Sequence, residues 1–158
     1  MAYAQPRAIG GRLGYGAEFS YEHALGESNM ISLEVGVPGF AGLEAACTYD
    51  WIDPFGATVP WNEKGEWHWY MGVGAAGGYG WYGYATVGGI TAGAGANWGF
   101  AGAAGRVGIE YDFWFPLQLS LDWRPTLGAS LWDNGSGGVN SGLYWEMTGI
   151  ALGVRYKF

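Results

Sequence analysis

The feature that most constrains this chain is the side of its strands on which the charges lie. Many segments alternate apolar residues with small or charged ones, which is the period of a β-strand. Ile31 and Leu33, for example, alternate with Ser32 and Glu34. Almost every charge within such segments falls on one side, and Glu146 is the exception. Each strand therefore has a polar face and an apolar face.

The alternation predicts eight antiparallel strands. They cover about residues 7–23, 31–37, 43–51, 67–75, 84–97, 107–113, 117–123 and 149–158. The segment 84–97 lacks clean alternation, which is typical of a strand with a bulge. We expect one all-β domain over residues 1–158, an eight-stranded antiparallel up-and-down transmembrane β-barrel, with residues 1–6 as a short leader. The triplet at residues 2–4 resembles the end of a signal peptide, and a chance Ala-rich leader explains it equally well.

Alternation alone does not say which face is outside, but composition favours a polar interior. Only 13% of residues are charged and 31 are glycine, whereas a water-facing surface is normally rich in Lys and Glu. Small residues and Arg–carboxylate pairs suit the narrow interior of an eight-stranded barrel. The predicted interior polar network is Arg12, Glu18, Glu34, Glu44, Asp50, His68, Arg106, Glu110, Asp122, Arg124 and Arg155.

Aromatic residues flank the aliphatic part of the apolar face. This banding is typical of the two interfaces of a bilayer. The predicted interface aromatics are Tyr49, Trp51, Trp67, Trp69, Tyr79, Trp81, Tyr111, Phe113, Trp123, Tyr156 and Phe158. Transmembrane helices are disfavoured in the uncharged stretch that ends at residue 105, because glycine costs about 1 kcal/mol per residue in a helix. Since lipid leaves no strand edge unpaired, the last strand should close the barrel against the first.

The segments "GIEYDFWFPLQLSLDWRP" (residues 108–125) and "GIALGVRYKF" (149–158) resemble small outer-membrane β-barrels of Gram-negative bacteria, in the broad class of OmpX and the OmpA barrel. The resemblance implies that the last strand is an assembly signal, read by the barrel-assembly machinery. Its matching residues are Leu152, Val154, Tyr156 and Phe158. The Gly/Ala-rich middle of the chain is plainer than this class implies, which leaves a natural or a redesigned member open.

The connections are predicted to be unequal at the two ends. Tight connections at 38–39 and 114–116 should share the periplasmic end with the termini, and long ones at 53–65 and 130–141 should lie outside. Outer loops often carry function. The residues there most able to contact a partner are Trp61, Asn62, Glu63 and Lys64.

The sequence contains little that predicts chemistry. Cys47 is the single cysteine and lies on the apolar face, and the two histidines lack metal-ligand spacing. We therefore expect no metal and no cofactor, and the net charge of −7 argues against nucleic acid. His68 beside Glu66 could be half of a hydrolytic pair, although an interior histidine in a polar network is the simpler interpretation.

Four functions follow. The leading hypothesis is a non-enzymatic, monomeric β-barrel in the bilayer, with a structural or surface-interaction role and a lumen filled by side chains. The alternatives are a small pore or conduit, a lipid-modifying enzyme and a soluble ligand-binding barrel.

Overall fold

The computed structural model describes residues 7–40, 42–54, 64–80, 86–87, 90–91, 97–133 and 136–158. These residues form a closed antiparallel β-barrel of eight strands with up-and-down topology, which confirms the predicted all-β barrel class. Within the same ranges, no helix is both long and apolar enough to cross a membrane. The predictions for residues 1–6, Trp81, Trp61, Asn62 and Glu63 concern positions outside the described residues.

The eight strands follow one another along the chain, and the last two are each divided into two segments. They are β1 (Arg7–Leu13), β2 (Gly16–Ala24), β3 (Asn29–Pro38), β4 (Gly42–Ile52), β5 (Glu66–Gly80), β6 (Trp98–Asp112), β7a (Leu117–Trp123), β7b (Thr126–Asp133), β8a (Val139–Glu146) and β8b (Ile150–Lys157). Each strand pairs with the next along the chain, so the topology is simple.

The first and last strands close the barrel. β1 pairs with β8b, from Ala8 opposite Lys157 to Leu13 opposite Leu152. Beyond this ladder, the Phe158 N–H donates to the Arg7 carbonyl oxygen at 2.8 Å. β8b also pairs with β7a, and β7a pairs with β6, so the wall is continuous at this level. The expectation that the C-terminal strand closes the barrel is confirmed.

The interior of the barrel is polar and its outer surface is apolar. Along β4, Glu44 and Asp50 are buried, while Leu43 and Trp51 on the other face are exposed. Among the described residues, buried polar and charged side chains outnumber buried apolar ones. The large apolar side chains instead cover the outside of the wall, which inverts the arrangement of a water-soluble barrel.

Residues 7–23 form a hairpin, so the prediction of a single strand there is wrong. β1 and β2 pair antiparallel around a turn at Gly14 and Tyr15, with Arg12 opposite Glu18. Residues opposite each other in this ladder are both even-numbered or both odd-numbered, which we call the same parity. The polar face therefore stays on even positions through the turn, and the alternation carries no sign that the chain reverses.

The strand predicted at 84–97 does not appear between its expected neighbours in the barrel wall. β5 pairs directly with β6 along its whole length, from Glu66 opposite Asp112 to Gly80 opposite Trp98. The described part of the intervening segment, Thr86–Val87 and Ile90–Thr91, forms a separate two-stranded ribbon. The strand count of eight is right because the extra strand at the N-terminal hairpin replaces the one wrongly placed here.

The corrected strand order changes the end at which each connection lies. We call the end with Arg7 and Lys157 the terminal end, and the other the opposite end. Connections 25–28, 53–65 and 113–116 lie at the terminal end, and connections 14–15, 39–41, 81–97 and 134–138 at the opposite end. The predicted separation of short from long connections is wrong, since both ends carry both kinds. Residues 130–141, predicted as a loop, lie largely in β7b and β8a.

A bulge between β8a and β8b explains the exceptional position of Glu146. Thr126 lies opposite Glu146, whereas Trp123 lies opposite Ile150, so β8 has one residue more than β7 between these pairs. The extra residue exchanges the two faces of the strand, which turns Glu146 inward. On the outside, the Trp123 indole N–H donates to the Met147 carbonyl oxygen at 2.8 Å and satisfies a backbone group that the bulge exposes.

The wall is taller on one side than on the other. β5 and β6 have 15 residues each, while β1 has 7. At the opposite end, β7b and β8a continue beyond the β1–β2 hairpin, and in the described part of the chain β8a pairs only with β7b.

Replacing Gly72 with alanine is expected to destabilise the barrel. A Cβ at Gly72 would overlap Asp50 Oδ1 and the Tyr49 carbonyl oxygen, and overpacking of this kind costs about 1–3 kcal/mol. Gly26→Ala is the matched control, since nothing lies within 4 Å of a Cβ at Gly26. Chemical denaturation of both variants measures the difference, and equal midpoints would contradict the tight fit at Gly72.

Candidate functional site

The candidate site is the charged interior of the barrel, and Arg106 on β6 lies at its centre. One terminal nitrogen of Arg106 donates to Ser32 Oγ at 2.5 Å and to Asp50 Oδ2 at 3.0 Å. The other donates to Glu22 Oε1 and to Asp122 Oδ2, each at 3.2 Å. One side chain thus joins β2, β3, β4, β6 and β7a across the lumen.

Tyr70 supports this centre from β5. The Arg106 guanidinium carbon lies 4.7 Å from the centre of the Tyr70 ring, a cation–π distance. The Tyr70 hydroxyl donates to Asp122 Oδ2 and accepts from Arg106, both at 3.2 Å. Tyr70 is fully buried, so the ring fills space as well as orienting the guanidinium.

Arg12 and Arg124 extend the network toward the opposite end by sharing two glutamates. Both ion-pair with Glu18 and with Glu34. Arg12 also reaches Asp122, with its Nε 3.2 Å from Asp122 Oδ2. Arg124 also donates to Glu44 Oε1 at 2.5 Å. Because each carboxylate serves two guanidiniums, these interactions form one network rather than separate pairs.

Arg155 on β8b is held largely by serines. Its Nε donates to Ser20 Oγ at 2.8 Å and its Nη1 to Ser120 Oγ at 2.7 Å. Its Nη2 lies 3.1 Å from Glu22 Oε1. The guanidinium therefore ties the last strand to β2 and β7a.

Acidic groups exceed basic ones in this interior. Among the described residues, six carboxylates are buried and four guanidiniums. The carboxylates are Glu22, Glu34, Glu44, Asp50, Glu110 and Asp122, and the guanidiniums are Arg12, Arg106, Arg124 and Arg155. Buried charges need partners, and Glu110 stands apart because its described contact is a hydrogen bond from Gln118 Nε2 at 3.0 Å.

Aromatic side chains fill the interior toward the opposite end. The rings of Phe100 and Tyr144 stack with their centres 4.1 Å apart and their planes 11° apart. Trp98 lies against both rings. Buried Ala46 and Ala76 complete this cluster. The lumen is therefore occupied by charged groups in its middle and by rings nearer the opposite end.

At the terminal end, the lumen contains a cavity rather than packed side chains. Its volume is about 420 Å³. Its lining includes Glu22, Glu110 and Gln118, together with the apolar side chains of Met30 and Ile52. The two ends of the lumen thus differ in both filling and polarity.

His68 lies at the rim of this cavity, away from the arginine network in which it was predicted. Its Nδ1 lies 2.6 Å from Asp53 Oδ2, and its Nε2 lies 3.6 Å from Glu66 Oε2. Asp53 is held in turn by the backbone of Trp69. Both ring nitrogens face carboxylates, so the described contacts of His68 provide a histidine–carboxylate pair without a nucleophile.

The predicted aromatics occupy the outer wall, mostly at the terminal end. Those at the terminal ends of their strands or just beyond are Tyr49, Trp51, Trp67, Trp69, Tyr111, Phe113, Tyr156 and Phe158. Tyr79 lies near the opposite end, and Trp123 lies at the middle of β7, next to the bulge. The outward residues Leu152, Val154, Tyr156 and Phe158 are all exposed along the last strand.

Several interior residues and rim aromatics were missed. Glu22, Ser20, Ser32, Ser120, Gln118 and Tyr70 all lie in the network, and their even positions put them on the same face as Glu34. The alternation already places all six on the polar face, although they were not included in the predicted network. Exposed Tyr15, Phe40 and Trp145 add aromatics at or beyond the rim of the opposite end, and placing them required the turns and the bulge.

Comparisons with family models, curated proteins and solved structures gave no match. Among the described residues, no group of three or more His, Cys, Asp or Glu side chains is arranged to hold a metal ion. The class of protein therefore follows from architecture alone. It is a closed eight-stranded antiparallel barrel with a charged interior, consistent with a small outer-membrane-barrel-like fold.

Arg106→Ala is expected to lower the free energy of unfolding by about 3–5 kcal/mol, because it leaves buried carboxylates without their partner. Exposed Lys64 provides the control, and Lys64→Ala should change stability by less than about 0.5 kcal/mol. Denaturant titration of the refolded proteins measures both values. If the Arg106→Ala midpoint matched that of the wild type, the network would not be a source of stability.

Proposed function

We propose that the chain is a non-enzymatic integral β-barrel of a bacterial outer membrane, with a structural or surface-interaction role. The observation that carries this proposal is the inverted polarity of the wall. Apolar residues such as Leu33, Val35 and Leu121 face outward, while Arg12, Glu34 and Asp50 face inward. Water would penalise this exposed apolar surface by about 25 cal/mol per Å², whereas a bilayer is its natural solvent.

Closure of the barrel wall also supports a bilayer as the surroundings of this protein. Hydrocarbon supplies no hydrogen bonds, so spanning strands must pair with one another. The β1–β8b ladder provides that pairing at the seam. Strands of 9–11 residues suffice for a tilted crossing, and β3 and β4 have 10 and 11 residues. The short β1 is compatible with a crossing because its neighbours extend beyond it.

The location and the partners are further parts of the proposal. The resemblance of residues 108–125 and 149–158 to small outer-membrane barrels favours the outer membrane of a Gram-negative bacterium, with lipid and the barrel-assembly machinery as partners. The exposed row along β8b from Leu152 to Phe158 suits recognition by that machinery. The net charge of −7 disfavours nucleic acid, and we propose a monomer.

The direction of insertion follows if the termini face the periplasm, as in the class that the sequence resembles. The opposite end then faces outward, and connections 81–97 and 134–138 belong to the outer surface. Connection 53–65, which was predicted to contact outside partners, belongs to the periplasmic side under this orientation. The non-enzymatic assignment is supported by His68, whose ring nitrogens face Asp53 and Glu66.

A lumen filled by side chains is favoured over a pore. The Arg106 network crosses the middle of the barrel, and the Phe100–Tyr144 stack lies between it and the opposite end. An eight-stranded barrel has room for side chains rather than for a water channel. Ions would have to displace both groups to pass.

Membrane insertion can be tested at Cys47, the single cysteine of the chain. Cys47 is exposed on the outer wall, opposite Leu33 and Ala75. A fluorophore attached to it should be strongly quenched by lipids with brominated acyl chains. The control is Cys47→Ala/Gly26→Cys, which moves the label to a connection at the terminal end and should reduce quenching severalfold. Equal, weak quenching at both positions, with a monomer that is stable without detergent, would favour a soluble barrel.

Current recordings test the filled lumen separately. Protein inserted into a planar bilayer should give no stepwise conductance, because paired charges and stacked rings occupy the lumen. Insertion is verified by quenching of the Cys47 label in the same lipid. Stable current steps from inserted protein would replace the filled-lumen assignment with a pore.

A further inference from the structure

The cavity at the terminal end contains polar atoms that the fold leaves unused. Glu22 is 3% exposed and Gln118 is 5% exposed, and both line the cavity. Glu22 Oε2 and Gln118 Oε1 are buried and have no hydrogen-bond partner. Asp112 Oδ1, also in the lining, is a third such oxygen. All three atoms are acceptors, so a group that fits them must donate hydrogen bonds.

Charge favours a cationic donor. Glu110 is 4% exposed and lines the same cavity, and among the described residues no cationic group lies within ion-pairing distance of it. The Gln118 amide nitrogen donates to Glu110 Oε2 and so orients this carboxylate. The amide oxygen of Gln118 remains an acceptor without a hydrogen-bond partner. A buried carboxylate without a counter-ion is costly. Arg7 and Lys157 also line the cavity, but Arg7 is exposed and Lys157 pairs with Asp112, so acidic side chains still exceed basic ones there.

The apolar part of the cavity lining favours an organic cation over a bare metal ion. Ala8, Ala24, Met30 and Ile52 form the apolar part of the lining, and a cavity of about 420 Å³ is large enough for a small molecule. A divalent metal fits less well, because the described residues provide no group of three or more metal-ligating side chains. An ammonium group has three donors and no acceptor, which matches the three free oxygens.

We propose that this cavity binds a small primary alkylamine as its ammonium ion. The ammonium group lies among the free oxygens of Glu22, Gln118 and Asp112, beside Glu110. The aliphatic chain lies against Met30 and Ile52. Glu22 Oε1 remains with Arg106 and Arg155, so the ligand uses the oxygen that the arginine network leaves free. The site does not depend on the membrane assignment, because it is built from the interior and the terminal rim.

The test is isothermal titration of the refolded full-length protein with three ligands of one chain length: n-butylammonium, n-butanol and butyrate. Butylammonium should bind at least about tenfold more tightly than the other two, since only it supplies charge-assisted donors to the buried oxygens. Equal affinity for butylammonium and butanol would overturn the proposal, because binding would then be apolar contact alone.

Glu110→Gln should weaken butylammonium binding about tenfold or more, since it removes the carboxylate that would pair with the bound ammonium. Glu146→Gln is the matched control: it makes the same change in β8a, outside the lining of the cavity, and should leave affinity within about twofold. If Glu110→Gln fails to fold, Gln118→Leu removes a free acceptor and should also weaken binding. Equal affinity in the folded interior variant and the control would overturn the proposal, as would displacement of the amine by micromolar Ca²⁺.

Discussion

The structure depends on the interaction between buried guanidiniums and carboxylates inside the barrel. Arg106 alone contacts side chains from β2, β3, β4 and β7a. Each of these ions would be costly to bury alone, so the strands that carry them must come together for any of them to be satisfied. The polar interior consequently has the role that an apolar core has in a soluble domain. It also explains the abundant glycine, since residues such as Gly72 leave the space that Asp50 occupies.

The contents of the barrel interior differ along its length. The packed middle and opposite end stabilise the fold, whereas the cavity at the terminal end is the part available for binding. In the middle, shared carboxylates hold Arg12, Arg106 and Arg124. Toward the opposite end, stacked rings of Phe100 and Tyr144 exclude water. Toward the terminal end, the acids are no longer matched by bases, and a cavity replaces packed side chains. Unused acceptors in a packed protein are rare, and three of the five such oxygens among the described residues belong to side chains that line this cavity.

Much of the fold and of the network followed from the sequence, because the two-residue period assigns a side to each residue without knowledge of the turns. That independence is also its weakness. The turn at Gly14 and Tyr15 keeps the polar face on even positions, so the hairpin was invisible, and the connections at 38–39 and 53–65 were assigned to the wrong ends. The strand wrongly placed at 84–97 cancelled this error, so the connection at 114–116 was assigned to the correct end. The bulge before Ile150 changes parity within one strand, which made Glu146 look misplaced. His68 has interior parity, yet its height along β5 places it at the rim. Parity gives the face of a residue but not its depth.

The seam between β1 and β8b has a consequence for the order in which this chain can fold. Ala8 and Lys157 are paired although they lie at opposite ends of the chain, so their contact closes the largest loop in the protein and carries the greatest entropic cost. Sequential hairpins such as β5–β6 can form early, and the seam should form last. Because Arg7 and Phe158 exchange hydrogen bonds, a short linker could join them and the chain could be reopened at residues 14–15. Such a circular permutant would keep every ladder but move the closure of the longest loop from β1–β8b to β1–β2, so its folding rate would show whether the position of the seam limits folding.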